Sequence, residues 1–119
     1  RLSQVLINLI RNALQAMPDG GKLTVQTRRF TNRAGVDQLE LAVRDTGVGI
    51  SRKHMETLFM PFFTTKQDGT GLGLAICHRI VQAHGGELDV QSRRGEGASF
   101  FVRIPIPVAD EDESRDAAK

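Results

Sequence analysis

Apolar residues recur every three to four positions at the start of the chain: Leu2, Val5, Leu6, Leu9, Ile10, Ala13, Ala16 and Met17. That period predicts an amphipathic helix over residues 1–17, and Pro18-Asp19-Gly20-Gly21 stops it. The period then shortens to two. Leu23, Val25 and Thr27 alternate with polar residues over 22–29, as do Leu39, Leu41 and Val43 over 38–44. Residues 31–37, with Asn32 and Gly35, supply a turn, so the two segments are expected to pair as an antiparallel hairpin. Residues 45–50 are glycine-rich, and Ser51 is placed to cap a short helix running to about residue 58. No period holds over 59–71, which reads as a loop. Helical spacing returns over 72–84, with Leu74, Ile76, Ile80 and Val81 toward a core, and Gly85-Gly86 ends it. Two further strands are expected over 87–92 and 98–105, joined at Gly95-Glu96-Gly97.

This order predicts an α+β fold of two layers, with helices on one face of a mixed, mainly antiparallel sheet. The chain's 119 residues suffice for one modest core and not for two. Residues 1–107 are expected to form that single domain. Residues 108–119 offer nothing to bury and are expected to be a disordered acidic tail. Because the chain opens directly on a helix, a segment preceding it in the parent protein is expected to have been removed.

Composition narrows the function. Apolar residues make up 39% and charged residues 25%, the balance of a soluble globular domain, and no apolar run is long enough to span a bilayer. A single cysteine, Cys77, permits no internal disulfide, no Cys/His cluster has zinc spacing, and no signal peptide is visible. A reducing, cytoplasmic setting fits, with the parent free to be membrane-anchored. The formal charge of +2 combines a tail of net −3 with a body of +5. That surplus suits an anionic ligand but is too scattered for nucleic acid. With no Tyr or Trp and only six Phe, a base-stacking platform is also missing.

Four features carry chemistry. Asn8 and Asn12 stand four residues apart, on one face of the first helix. Amides inside an apolar helix need partners; an Asn carbonyl is a hard ligand suited to Mg²⁺, and capping of neighbouring backbone is the alternative. Asp45-Thr46-Gly47-Val48-Gly49 follows a predicted strand. A carboxylate fixed there can accept from an exocyclic amine while bare glycine backbone admits a flat ring; in isolation the same pattern is also an ordinary Asx turn. Gly69-Thr70-Gly71-Leu72-Gly73-Leu74 opens into a helix, where unpaired N–H groups can cradle phosphate oxygens. It is neither a Walker loop nor a Rossmann fingerprint. Phe59-Met60-Pro61-Phe62-Phe63-Thr64-Thr65-Lys66 places three phenylalanines in a loop, either as a flap with an apolar anchor or as a satellite core cluster. Lys66 could reach a phosphate from its tip.

Together these motifs resemble the GHKL superfamily, and within it the catalytic domains of two-component histidine kinases. Residues 8–16 look like its N box, 45–50 its first glycine box, 59–66 its F box and 69–74 its second glycine box, and Gly95-Glu96-Gly97-Ala98-Ser99-Phe100 is similar to its last strand entry. The short stretch between Phe63 and Gly69 most resembles nitrogen-sensor-type kinases. The resemblance implies a Bergerat α/β sandwich that binds ATP with Mg²⁺. Asn12 would ligate the metal and Asn8 would support the phosphate side. Asp45 would take the adenine amine beside Gly47 and Gly49. Ser99 stands where relatives usually carry a Thr near that carboxylate, which implies a water-bridged role there. Gly69, Gly71, Leu72, Gly73 and Leu74 would offer backbone to the phosphates. Gln15 replaces a phosphate-contacting Lys of some relatives, leaving Arg11 or Lys66 to supply that charge.

The implied reaction hands the γ-phosphate of ATP to a histidine. None of His54, His78 and His84 is followed by the acid usual beside an acceptor, so the acceptor is expected on a dimerisation domain outside this chain. A homodimeric parent and a downstream response regulator are the implied partners. A clamp ATPase of the gyrase, chaperone or mismatch-repair kind shares the fold, but such enzymes carry a Glu where Asn8 stands, and an amide cannot activate water as a base. A serine kinase of the anti-sigma type and a binding module without catalysis are the other rivals. The F box argues against the first; Asn12, Asp45 and the glycine boxes argue against the second.

Overall fold

The computed structural model describes residues 2–58 and 73–106. Helix α1 (Leu2–Gln15) buries Val5, Leu9 and Ala13 along one stripe. It ends two residues before the expected limit, because Ala16 and Met17 tighten into a last turn through N–H bonds to Ala13 and Leu14. Strands β1 (Leu23–Thr31) and β2 (Asp37–Asp45) form the expected hairpin, each longer than its alternation alone indicates. The hairpin turn supplies the reason: Asn32 Oδ1 accepts from the N–H groups of Ala34 and Val36, which closes the loop early and lets pairing run outward to Thr31 and Asp37.

Ser51 caps the short α2 (Arg52–Met55), its hydroxyl accepting from His54 N at 3.3 Å. Helix α3 (Gly73–Ala83) buries Cys77, Ile80 and Val81, and His84 closes its end with Nδ1–H donating to the Ile80 carbonyl at 2.8 Å. Strands β3 (Glu87–Ser92) and β4 (Ala98–Pro105) match the expected limits.

The sheet order is β1-β2-β4-β3, and every described pair is antiparallel. The expected mixed character is not found among the described residues. The reason lies in the connection: β2 and β3 run the same way, but β4 inserts between them and pairs with both. The helices cover one face, where Leu9, Val43, Cys77, Val81, Phe100 and Val102 share the core. At its β1 side this face is uncovered, leaving Val25 and Leu39 exposed.

The opposite face is built differently. Glu40 is only 5% exposed there, gripped by Arg28 Nε at 2.7 Å and Arg103 Nε at 2.8 Å, and Arg103 also reaches Asp89 at 3.3 Å. Arg44 and Arg103 lie over the Phe101 ring, 5.1 and 5.4 Å from its centroid. The Arg28 hydrogen bond is the main cause holding the Glu40 carboxyl below the usual carboxylate range, against the opposing effect of burial.

Candidate functional site

The site forms at one end of the sheet, where β2 runs into the glycine-rich loop. Asp45 is the last residue of β2 and is 8% exposed. Its Oδ1 accepts two backbone bonds, from Gly47 N at 2.9 Å and from Ala98 N at 3.2 Å. One side of the carboxylate is therefore fixed by its own loop and by the start of β4. Its other oxygen makes no hydrogen bond among the described residues. Asp45 lines a cavity of ≈ 520 Å³ together with Met55, Ser92, Gly97 and Ala98.

Close backbone approaches hold the loop in place. Val48 N donates to the Ala16 carbonyl at 3.1 Å, and a Cβ at Gly47 would collide with that same carbonyl. A Cβ at Gly49 would collide with the Arg93 carbonyl. The glycines are thus required by packing against protein backbone, whatever ring they also admit. Thr46 adds a third tie, its hydroxyl accepting from Lys22 N at 2.9 Å and donating to Met17 Sδ at 3.7 Å.

These ties connect Asp45 to the asparagine face. Asn12 lies one helical turn before Ala16, whose N–H bonds the Asn12 carbonyl. Its half-buried side chain is therefore on the helix end to which the Asp45 loop is bound. Asn8 sits a turn further back beside buried Cys77 of α3, whose thiol donates to the Val5 carbonyl at 3.9 Å. Burial raises the thiol above its ordinary value, which suits a packed, unreactive cysteine. Arg11 and Gln15 are exposed on α1.

Ser99 lines the same cavity as Asp45, but its register partners are Arg44 and Gln91, on the helix-free face. Its neighbour Ala98 is the residue that meets the carboxylate. Gly73 and Leu74 form the first turn of α3. Lys66, Gly69, Gly71 and Leu72 lie outside the described residues, as do the F box and the acidic tail. Two contributors were missed in the sequence. The Ala98 N–H carries no side-chain signature. Ser92 does leave one: it follows Leu88 and Val90 on the core-facing alternation, where a third apolar residue is expected.

Residues 1–108 match the family described as histidine kinase-, DNA gyrase B-, and HSP90-like ATPase. The chain belongs to that family. Within this ATPase family its relatives include sensor histidine kinases. It is 42% identical over 112 residues to the sensor histidine kinase ZraS of Salmonella typhi, covering 94% of this chain and 23% of ZraS. The chain thus spans between about a seventh and a quarter of the length of the kinases it matches in sequence. Among solved structures, the mycobacterial sensor histidine kinase MprB aligns with a TM-score of 0.75 at 30% identity, over 87% of this chain and 69% of that one. Full-length ShkA in complex with AMPPNP aligns with a TM-score of 0.73 at 32% identity, over 87% of this chain and 21% of that one.

Proposed function

We propose that this chain is the ATP-binding catalytic domain of a sensor histidine kinase, which presents Mg-ATP so that its γ-phosphate passes to a histidine on a separate dimerisation domain. The observation that carries the reading is Asp45. Two backbone donors fix one carboxylate oxygen and leave the other for a ligand's exocyclic amine, beside an open cavity. A purine with an amino group at position 6 satisfies that acceptor. The AMPPNP bound in ShkA is an adenine nucleotide and supports the same choice.

From Asp45 the triphosphate would extend between α1 and the start of α3. The first-turn N–H groups of Gly73 and Leu74, with the preceding glycine box, would receive phosphate oxygens. Asn12 fits magnesium by the chemistry of its donor: a neutral amide oxygen, half-buried on the helix end tied to the Asp45 loop. Among the described residues no three His, Cys, Asp or Glu side chains converge, so nucleotide phosphates and water would complete the coordination. Magnesium, when bound, neutralises charge on the phosphates. Arg11 or Lys66 would supply further positive charge.

Transfer forms an N–P bond to the accepting imidazole and breaks the bond between the γ-phosphorus and the bridging oxygen, releasing ADP. The chain's own contribution is positioning. Asn8 is an amide held against Cys77 and cannot serve as a base for water, which favours transfer over the hydrolysis of a clamp ATPase. The dimerisation domain, a homodimeric parent, a response regulator and a cytoplasmic setting all belong to this proposal. Among the described residues no helix is long and apolar enough to cross a membrane.

Radiolabelled ATP tests the reading. The 119-residue chain should bind ATP, fail to label itself, and label a separately supplied dimerisation domain of a matching sensor kinase through an acid-labile bond. Acid-labile label on the chain alone would place the acceptor within it and contradict the reading.

A further inference from the structure

The Ser92 hydroxyl stands where the two halves of the Asp45 site meet. It ends β3, accepts from Ile50 N at 2.8 Å and donates to the Gly97 carbonyl at 2.8 Å. The first bond reaches 42 residues back to the glycine loop, and the second spans the β3–β4 turn. Around it the turn docks on the loop at two more points. Gly95 N donates to the Val48 carbonyl at 2.6 Å, and Gly97 packs so closely on the Asp45 carbonyl that a Cβ there would collide. Gly97 leads directly to Ala98, whose N–H fixes Asp45 Oδ1.

We propose that Ser92 is a positioning residue for purine discrimination: its hydroxyl locks the glycine loop to the β3–β4 turn and so sets where the Asp45 carboxylate points. This rests on the adenine-binding reading above. Ile50 N and Gly97 O flank the two backbone donors that orient Asp45, at Gly47 and Ala98. Releasing both removes two of the ties between loop and turn and leaves the Gly95–Val48 bond to hold them, so the carboxylate's bearing on the 6-amino group loosens. Ser92 need not touch nucleotide. Its effect passes through backbone, and so falls on selectivity between 6-amino and 6-oxo purines as well as on affinity.

The test compares Ser92→Ala and Ser92→Thr with wild type in the 119-residue chain, by calorimetric titration with ATP and with GTP in magnesium and by thermal melting. Loss of two neutral hydrogen bonds should weaken ATP binding measurably, by at most about thirtyfold. GTP binding should change less, so the ATP-to-GTP ratio narrows. Threonine keeps a hydroxyl and should restore both affinity and ratio. A Ser92→Ala chain that melts lower but keeps wild-type ATP affinity and ratio would overturn the proposal, since that is a stability role alone. Hydrogen exchange in the wild type provides an arm that no folding failure can obscure. The Ile50 amide should be protected, and exchange at the rate of an unstructured peptide would refute the lock. A wild-type chain that ignores ATP would instead defeat the adenine reading itself, and the positioning role with it.

Discussion

Replacing Asp45 by Asn changes one atom's chemistry and little else. The N–H groups of Gly47 and Ala98 converge on Oδ1, so the amide must turn its carbonyl oxygen toward them. Its NH₂ then stands where the free carboxylate oxygen stood, facing the ligand. Against ATP this sets donor against donor and removes a hydrogen bond to a charged acceptor, worth about 1.5–3 kcal/mol. ATP affinity should fall by roughly tenfold to 150-fold. Inosine triphosphate carries a carbonyl at position 6 and should bind Asp45→Asn at least as well as it binds wild type, reversing the preference. Both backbone bonds survive, so the melting temperature should hardly move. Calorimetric titration of both nucleotides, with circular dichroism as a folding control, reads the outcome. Unchanged ATP affinity, or equal losses for both nucleotides, would refute the assigned role.

Further perturbations separate neighbouring effects. Gly95 and Gly97 share a left-handed φ of about +85°, but a Cβ at Gly95 meets nothing within 4 Å while one at Gly97 strikes the Asp45 carbonyl. Gly95→Ala should therefore cost only the backbone penalty, about 1–2 kcal/mol, and Gly97→Ala should cost more and also weaken ATP binding; equal melting temperatures would contradict this. Asn12→Ala should weaken nucleotide binding in magnesium and have little effect on binding in EDTA, and equal losses in both would remove Asn12 from the metal site. Glu40 has a folded pKa below its ordinary 4.5, so its stabilising effect is present above that value and disappears as pH falls through the folded pKa. Glu40→Gln should accordingly melt roughly 4 °C lower at pH 7, about 1 kcal/mol for a chain of this size, and the gap should close as pH falls through the folded pKa of Glu40. A gap that widens in acid would reverse the sign.

The elements were legible because each has a strong local signal. The 3.6 period of Val5, Leu9 and Ala13 and the two-residue period of Leu41 and Val43 both survive in the packed core. What sequence could not supply is register. Nothing local to Glu40 announces that Arg28 and Arg103 will stand on either side of it; that follows from β2 lying between β1 and β4. Register also separates Ser99 from Ala98, since one step along β4 moves a side chain to the other face. The glycines at 47 and 49 were legible as glycines, but their reason lies partly in the carbonyls of Ala16 and Arg93, remote in sequence. Asn8 was readable as an amide needing a partner. That it stands beside Cys77 required α1 and α3 to be side by side.

Backbone amide NMR during titration of the 119-residue chain with Mg-ATP tests the central claim most directly. Saturable shifts should concentrate at residues 45–50, 73–75 and 96–98, with none on the helix-free face around Arg28 and Arg103. Absence of saturable binding at millimolar ATP, or shifts centred on that arginine face, would contradict the account.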